Sequence, residues 1–218
     1  MLTRFSLAPR RTGMSGADFQ AYWKDRHPDV VRGMPGLTSY QQNHALLRDD
    51  EPLLPWPGFD ACAQFGADSS AGFDQAFSSQ HYLGPVSADA RRFVDIGRGG
   101  FVLCRQRLLQ GAVDAPVGGQ RVRLLSFLRL APLAGLAALE AALGMLAAPQ
   151  KALGREVFVA VPDGQHASVF DAVEILFFPD AEAALQHVVH GESRRRMEPL
   201  AGLVRGTERL IAQVVAVW

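Results

Sequence analysis

The chain has 218 residues, 48% of them hydrophobic, enough for one large or two small domains with real cores. Lysine plus arginine and aspartate plus glutamate balance at 22 each, which argues against the basic footprint of a nucleic-acid or anionic-membrane binder. Only two cysteines occur, Cys62 and Cys104, with no CxxC pair, so a zinc cluster or disulfide framework is not expected and a reducing, cytoplasmic compartment is the simpler reading.

The N-terminal run MLTRFSLAPRR lacks an apolar stretch of signal-peptide length and reads instead as the approach to a strand over Thr3–Ala8. A helix begins at Ser15, strands follow near Leu37–Leu47 and Phe59–Gly66, a helix covers roughly Ser69–Phe77 and continues irregularly past Pro85, and Phe101–Leu108 is a last strand. Gln110–Gly119 (QGAVDAPVGG) has linker composition. Beyond it come strand Val122–Leu130, helix Leu133–Ala147, strands Arg155–Val161 and Phe170–Phe177, helix Asp180–His190 and strand Arg209–Val217. The apolar segment Leu130–Pro149 does not read as a membrane span. Glu140 sits in it, Pro132 and Pro149 bracket fewer than the roughly 20 residues a bilayer needs, and Leu136, Leu139, Leu143 and Leu146 recur at helical spacing.

Both halves therefore read β-α-β-β-α-β. The repeat shows in letters too: Phe59-Asp60-Ala61-Cys62 against Phe170-Asp171-Ala172-Val173, each followed by an acidic helix start, Asp68 and Asp180. The expected fold is α+β: two tandem ferredoxin-like domains, residues 1–112 and 119–218, whose sheets pack on each other as an intramolecular dimeric α/β barrel.

The richest stretch for chemistry is Phe19–His44. Phe19, Trp23 and His27 lie at i, i+4 and i+8 of a helix, and Pro28 kinks it there, so His27 is expected at a break that opens toward a cavity, with burial tuning its pKa. The alternative for His27 is a capping or core histidine. Arg26 shares that face and has the fork to hold a carboxylate or enolate, unless Pro28 turns it into solvent. The turn Met34-Pro35-Gly36 leads to a strand on which Tyr40, Gln42 and His44 share one face and Gln41 and Asn43 the other. Either one set lines a pocket or the strand is an edge with a solvated face. Asp60 follows Phe59 as Asp171 follows Phe170. A structural turn explains an aspartate kept in both halves, though Asp60 could orient His27. Trp56, in the LLPWPG loop, is a candidate lid, and His81 with Tyr82 could reach a pocket mouth. His187 and His190 have a metal-compatible spacing with only Glu192 near, so they and the run Arg194–Arg196 read as solvated. Cys62 reads as a core residue, and Gly97–Gly100 as a turn rather than a phosphate loop.

Tyr22-Trp23, His27-Pro28, Pro35-Gly36, Tyr40 to His44 and Phe59-Asp60 followed by Asp68-Ser69 together resemble the EthD family, as do Leu83–Val86 with Asp89, Phe93 and Asp95. The resemblance covers about residues 3–108. It implies a dimeric α/β-barrel fold and a small-molecule pocket with no cofactor and no metal. Its catalytic candidates are His27, Tyr40, His44 and Asp60. Phe19, Tyr22, Trp23, Arg26, Asn43, Trp56 and His81 are the candidates for substrate contact. The second half keeps the element order but has no histidine in its first helix, so it reads as a degenerate copy standing in for the second subunit, with a homodimer of the chain still open. The implied activity is that of a lyase or isomerase (dehydration, decarboxylation or cyclisation) on an aromatic or polyketide-like small molecule. An oxygen- or haem-using oxidoreductase and a non-catalytic ligand-binding accessory protein are the alternatives. Neither a nucleic acid nor a membrane is expected as a partner.

Overall fold

The computed structural model describes residues 1–54, 59–111, 122–161 and 168–218; Trp56 and most of the linker fall outside the described residues. The chain divides into two compact units, Met1–Phe101 with Val215–Trp218, and Val102–Val214.

The first unit opens on β1 (Leu2–Ala8), which buries Phe5 and Leu7 on one face and turns Arg4, Ser6 and Ala8 to the other. Helix α1 (Gly16–Asp25) starts where expected because Ser15 caps it, its Oγ accepting from the Asp18 N–H at 3.0 Å. The Asp50 carboxylate accepts from the Gly16 and Ala17 N–H groups at 2.8 and 2.9 Å, satisfying two more of the helix's free donors. The helix stops at Arg26 and restarts as α2 (His27–Val31), with Pro28 in its first turn, where a missing N–H goes unnoticed. Phe19, Trp23 and His27 all stay buried across this break.

Strand β2 (Ser39–Ala45), the short hairpin β3 (Leu47–Arg48) and β4 (Glu51–Pro52), and β5 (Ala61–Ala67) come next. Helix α3 (Ser70–Ser78) leads into one wide π-turn, Tyr82–Val86, and then α4 (Ser87–Phe93). The irregularity expected at Pro85 is this turn, whose wider hydrogen bonding accommodates a residue with no N–H. Strand β5 is the centre of the sheet, pairing antiparallel with β1 (Leu7 opposite Cys62) and with β2 (Tyr40 opposite Phe65). Residues 217 and 218 pair with the free side of β2 at Tyr40.

The second unit takes most of β6 (Gly100–Gly111), then β7 (Val122–Leu130), α5 (Leu136–Met145), β8 (Gly154–Ala160), β9 (Ala172–Phe178), α6 (Ala181–Val189), α7 (Glu192–Met197) and β10 (Val204–Ala216). Its strands run β10-β7-β9-β8, the ferredoxin-like order, with β6 beside β8. The leucine stripe of α5 fills the core: Leu139 and Leu143 are fully buried against Leu128, Val157 and Ala172. Among the described residues no helix is long and apolar enough to cross a membrane.

Several elements differ from expectation, among them the unexpected β3–β4 hairpin, β6, which runs on into the expected linker as far as Gly111, and two more. Strand β10 begins at Val204 rather than Arg209, because ladder pairing to β7 and the Arg129–Glu208 ion pair at 2.6 Å carry its polar first half. Helix α7 has no apolar periodicity to announce it. Its Arg196, expected in solvent, donates to both oxygens of the buried Glu174.

The repeat holds in register. The Asp60 N–H donates to the Ala8 carbonyl, and the Asp171 N–H to the Leu128 carbonyl. Asp60 Oδ2 accepts from the Arg10 N–H at 2.7 Å, and Asp171 Oδ2 from the Leu130 N–H at 2.7 Å. Counting from these anchors, Ala63 corresponds to Glu174 and Phe65 to Leu176. Through the ladder, Tyr40, Gln42 and His44 correspond to Arg155, Val157 and Val159.

Candidate active site

The first unit encloses a cavity of about 490 Å³, within the size range of small-molecule sites. Its floor is the face of β1, β2 and β5 that carries Ser6, Tyr40, Ala61 and Ala63. Helices α1, α2 and α4 and the π-turn form the walls. Phe93 ties these walls together, its ring centroid 5.6 Å from Phe19, 5.1 Å from Tyr22 and 5.0 Å from His27.

His27 sits in this wall with only 7% of its surface exposed. Its Nδ1 lies 2.8 Å from Asp89 Oδ2, and the other Asp89 oxygen accepts from the Tyr22 hydroxyl at 2.6 Å. A carboxylate only accepts, so Nδ1 carries the proton and Nε2 is the nitrogen left for the cavity. Burial pushes the His27 pKa below its ordinary value, more than the bond to Asp89 raises it. The imidazole is therefore neutral near pH 7, oriented, and basic at Nε2. The same carboxylate, helped by burial, raises the pKa of Tyr22.

The face of β2 carries a second chain of bonds. Trp23 Nε1 donates to the Tyr40 hydroxyl at 3.1 Å, and Gln42 Nε2 donates to the same oxygen at 3.0 Å and to the Trp23 carbonyl at 2.8 Å. His44 Nε2 is 2.8 Å from Gln42 Oε1, and its ring lies 4.5 Å from Trp23. With its oxygen accepting twice, Tyr40 has its own proton to give. Burial raises its pKa well above the usual tyrosine value, so it stays a neutral donor. Burial also lowers the His44 pKa to about 4.

The expected residues divide accordingly. Phe19, Trp23, His27 and Tyr40 line the cavity, and Tyr22 reaches it through Asp89. His44 is spent on Gln42, and Asn43 donates to the Cys62 carbonyl at 3.0 Å from the other face of the strand. Both faces of β2 are buried, so the edge-strand alternative fails. Arg26 is exposed, because the helix break turns it outward. Asp60 does not orient His27; it is held by Arg10, whose guanidinium is 3.2 Å away. His81 is bound to the Val30 carbonyl at 2.6 Å, and its neighbour Tyr82 lines the cavity instead.

Sequence reasoning missed Asp89 as the partner of His27. It also missed Arg4, whose guanidinium stacks between Phe77 and Phe101, 3.7 and 3.8 Å from the ring centroids, in the cavity wall. The family pattern had flagged Asp89, and alternation along β1 put Arg4 on the face of Ser6, the two signals available.

Among the described residues no three His, Cys, Asp or Glu side chains gather as a metal-binding group. The cavity-lining nitrogen that could ligate a haem iron is His27 Nε2. His187, expected in solvent, is buried against Phe178, its Nδ1 3.2 Å from Glu192. Cys62 and Cys104 are both buried.

In the second unit the corresponding face is filled. Arg155, at the place of Tyr40, donates through Nε to Glu174, at the place of Ala63, at 2.6 Å, and through its two Nη groups to the Leu146 and Leu143 carbonyls that end α5. Burial opposes ionisation of Glu174, but Arg196 and Arg155 outweigh it and hold the carboxylate below its usual range.

The fold and this enclosed site define the class: a ferredoxin-like protein of the dimeric α/β-barrel fold. The chain is similar to an anthrone oxidase-like protein (10% identity, 99% of this chain and 93% of that one, TM-score 0.72). It is also similar to a provisionally assigned monooxygenase from Fusobacterium nucleatum subsp. nucleatum (9%, 98% and 91%, TM-score 0.58). A variant of chlorite dismutase from Candidatus Nitrospira defluvii is a third (11%, 99% and 91%, TM-score 0.55). At these identities the likeness shows the fold. Within it, residues 11–97 match the EthD domain, the part of the chain that holds His27, Tyr40 and Asp89. No curated protein sequence matches the chain.

Proposed function

We propose that the first unit is a cofactor-independent enzyme that moves a proton on a planar aromatic or polyketide-like carbonyl compound, as a lyase or isomerase. One observation carries the reading: a neutral, buried His27 held by Asp89 at 2.8 Å in the wall of a cavity of small-molecule size. His27 Nε2 takes a proton from carbon or oxygen next to a carbonyl, and Asp89 steadies the imidazolium that forms. The Tyr40 hydroxyl, its oxygen already accepting from Trp23 and Gln42, gives its hydrogen bond to the oxyanion that develops. Phe19, Trp23 and Phe93 hold the rings in a dry site, where such bonds are strong. The second unit, whose corresponding face Arg155 and Glu174 fill, is read as the degenerate copy.

The test is native mass spectrometry of the protein purified without added ligand, followed by a turnover screen of aromatic keto and hydroxy acids. His27→Ala is expected to lower turnover by roughly 10²–10⁴-fold with an unchanged circular dichroism spectrum. A fully active variant rules the reading out. An oxidoreductase is the second reading, favoured by the similarity to the anthrone oxidase-like protein. There His27 deprotonates a phenol that then reacts with oxygen, and oxygen uptake during turnover distinguishes the two.

A further inference from the structure

The proton chemistry above uses Gln42 only as one donor to Tyr40, but the amide is tied on every side. It is fully buried at the centre of β2, between Tyr40 and His44 on one face. A carboxamide brings two N–H donors and one acceptor oxygen, and its partners decide which end points where. Here they leave one answer. The Trp23 carbonyl, 2.8 Å away, can only accept, so the amide nitrogen faces it. The second N–H of that nitrogen goes to the Tyr40 hydroxyl oxygen at 3.0 Å. Oε1 is then turned to His44 Nε2 at 2.8 Å, and that ring nitrogen must carry a proton. Burial lowers the His44 pKa to about 4, so near pH 7 the ring has a single proton, and the amide fixes its place. The Trp23 indole N–H occupies the other lone pair of the Tyr40 oxygen at 3.1 Å. Gln42 and Trp23 therefore both meet Tyr40 as donors, and neither offers its proton an acceptor.

The second unit supplies the contrast. There Arg155 and Glu174 fill the face, and the positions that correspond to Gln42 and His44 are Val157 and Val159. The copy without the tyrosine has neither the amide nor the histidine behind it.

We propose that Gln42 is a positioning residue of the site, an amide that aims the Tyr40 proton into the cavity, and that His44 holds this amide the right way round. The proposal rests on the reading of Tyr40 as the donor to the oxyanion and goes beyond it. A tyrosine with an acceptor beside it spends its proton there and must break that bond before it can serve an oxyanion. Gln42 removes this cost before the substrate arrives.

Gln42→Glu keeps the shape and reverses the bonding. Ionised, the carboxylate is an acceptor for the Tyr40 proton; protonated, its single proton satisfies the Trp23 carbonyl and its oxygen again accepts from Tyr40. Neutron diffraction from the deuterated full chain, unaltered and as Gln42→Glu, reads the aim directly and needs no ligand. The unaltered protein should show deuterium on His44 Nε2 and a Tyr40 deuteron that points into the cavity. In Gln42→Glu that deuteron should point at the carboxyl group. A bare His44 Nε2, or a Tyr40 deuteron directed at Gln42 in the unaltered protein, overturns the proposal, and this answer stands even if the variant fails to fold. Kinetics on the aromatic keto or hydroxy acid that turns over give the second readout. Gln42→Glu should lower kcat by about 10²–10³-fold, as loss of one oxyanion donor does, with KM little changed, and should cost nothing more in a Tyr40→Phe background. An equal loss with and without the Tyr40 hydroxyl marks a merely structural role and overturns the proposal. His27→Ala separates the two readings: full activity in that variant with the deuterons as stated removes the proton chemistry and leaves the aim of Tyr40 standing.

Discussion

His27 and Asp89 lie 62 positions apart and meet only because α4 packs on α1 and α2. Replacing Asp89 with Asn removes the charge that favours the imidazolium. The His27 pKa, already lowered by burial, should fall further, as nitrogen-detected NMR titration of the ring would show, and turnover should fall with it. His44 makes a second prediction. Its pKa is about 4 in the folded chain against 6.5 unfolded, so acidification protonates the unfolded form first. Stability is thus whole above about pH 6.5 and drains as pH falls toward 4, by about 3 kcal/mol from this group. His27 and His187 act in the same direction. Thermal melts between pH 7 and pH 4.5 should show the decline, with a shallower slope in His44→Gln. At this scale the sequence revealed the aromatic-histidine face because its members are four residues apart and stay on one side across the break between α1 and α2. Local spacing held no sign that Asp89 would find His27.

Strands β1, β7 and β8 and helices α1, α3 and α6 follow from alternation, apolar stripes and caps, which are local signals. Helix α7 was illegible because Glu192–Met197 has no stripe; ion pairs to Glu174 hold it in place. Those pairs predict an asymmetry. Glu174→Leu strands Arg155 and Arg196 beside a buried apolar group and should cost about 3–5 kcal/mol in denaturant unfolding. Adding Arg155→Met should recover part of that loss, because one stranded charge is removed. The turn before β2 is as strict. Gly36 has φ +78, and a Cβ there would run into the Gly72 carbonyl at the start of α3. Gly36→Ala should therefore lower the melting temperature by more than the strain of a left-handed residue alone, about 1–2 kcal/mol.

For the whole chain, the repeat was legible in letters, whereas the unequal fate of its two copies was legible only in part. The missing histidine of the second half could be read directly. That Glu174 and Arg155 occupy the space that Ala63 and Tyr40 leave open depends on strand register, which no single segment encodes. One ligand per chain is the expected stoichiometry in native mass spectra, and two would contradict a filled second copy. The pairing of Tyr40 with residues 217 and 218 has a consequence in time. Strand β2, which carries Tyr40, can pair with β5 as soon as both are made, but its bonds to residues 217 and 218 form only after the second unit has left the ribosome. A nascent chain that has made only the first 101 residues therefore holds His27, Tyr40 and Asp89 with the outer edge of β2 still unpaired at Tyr40.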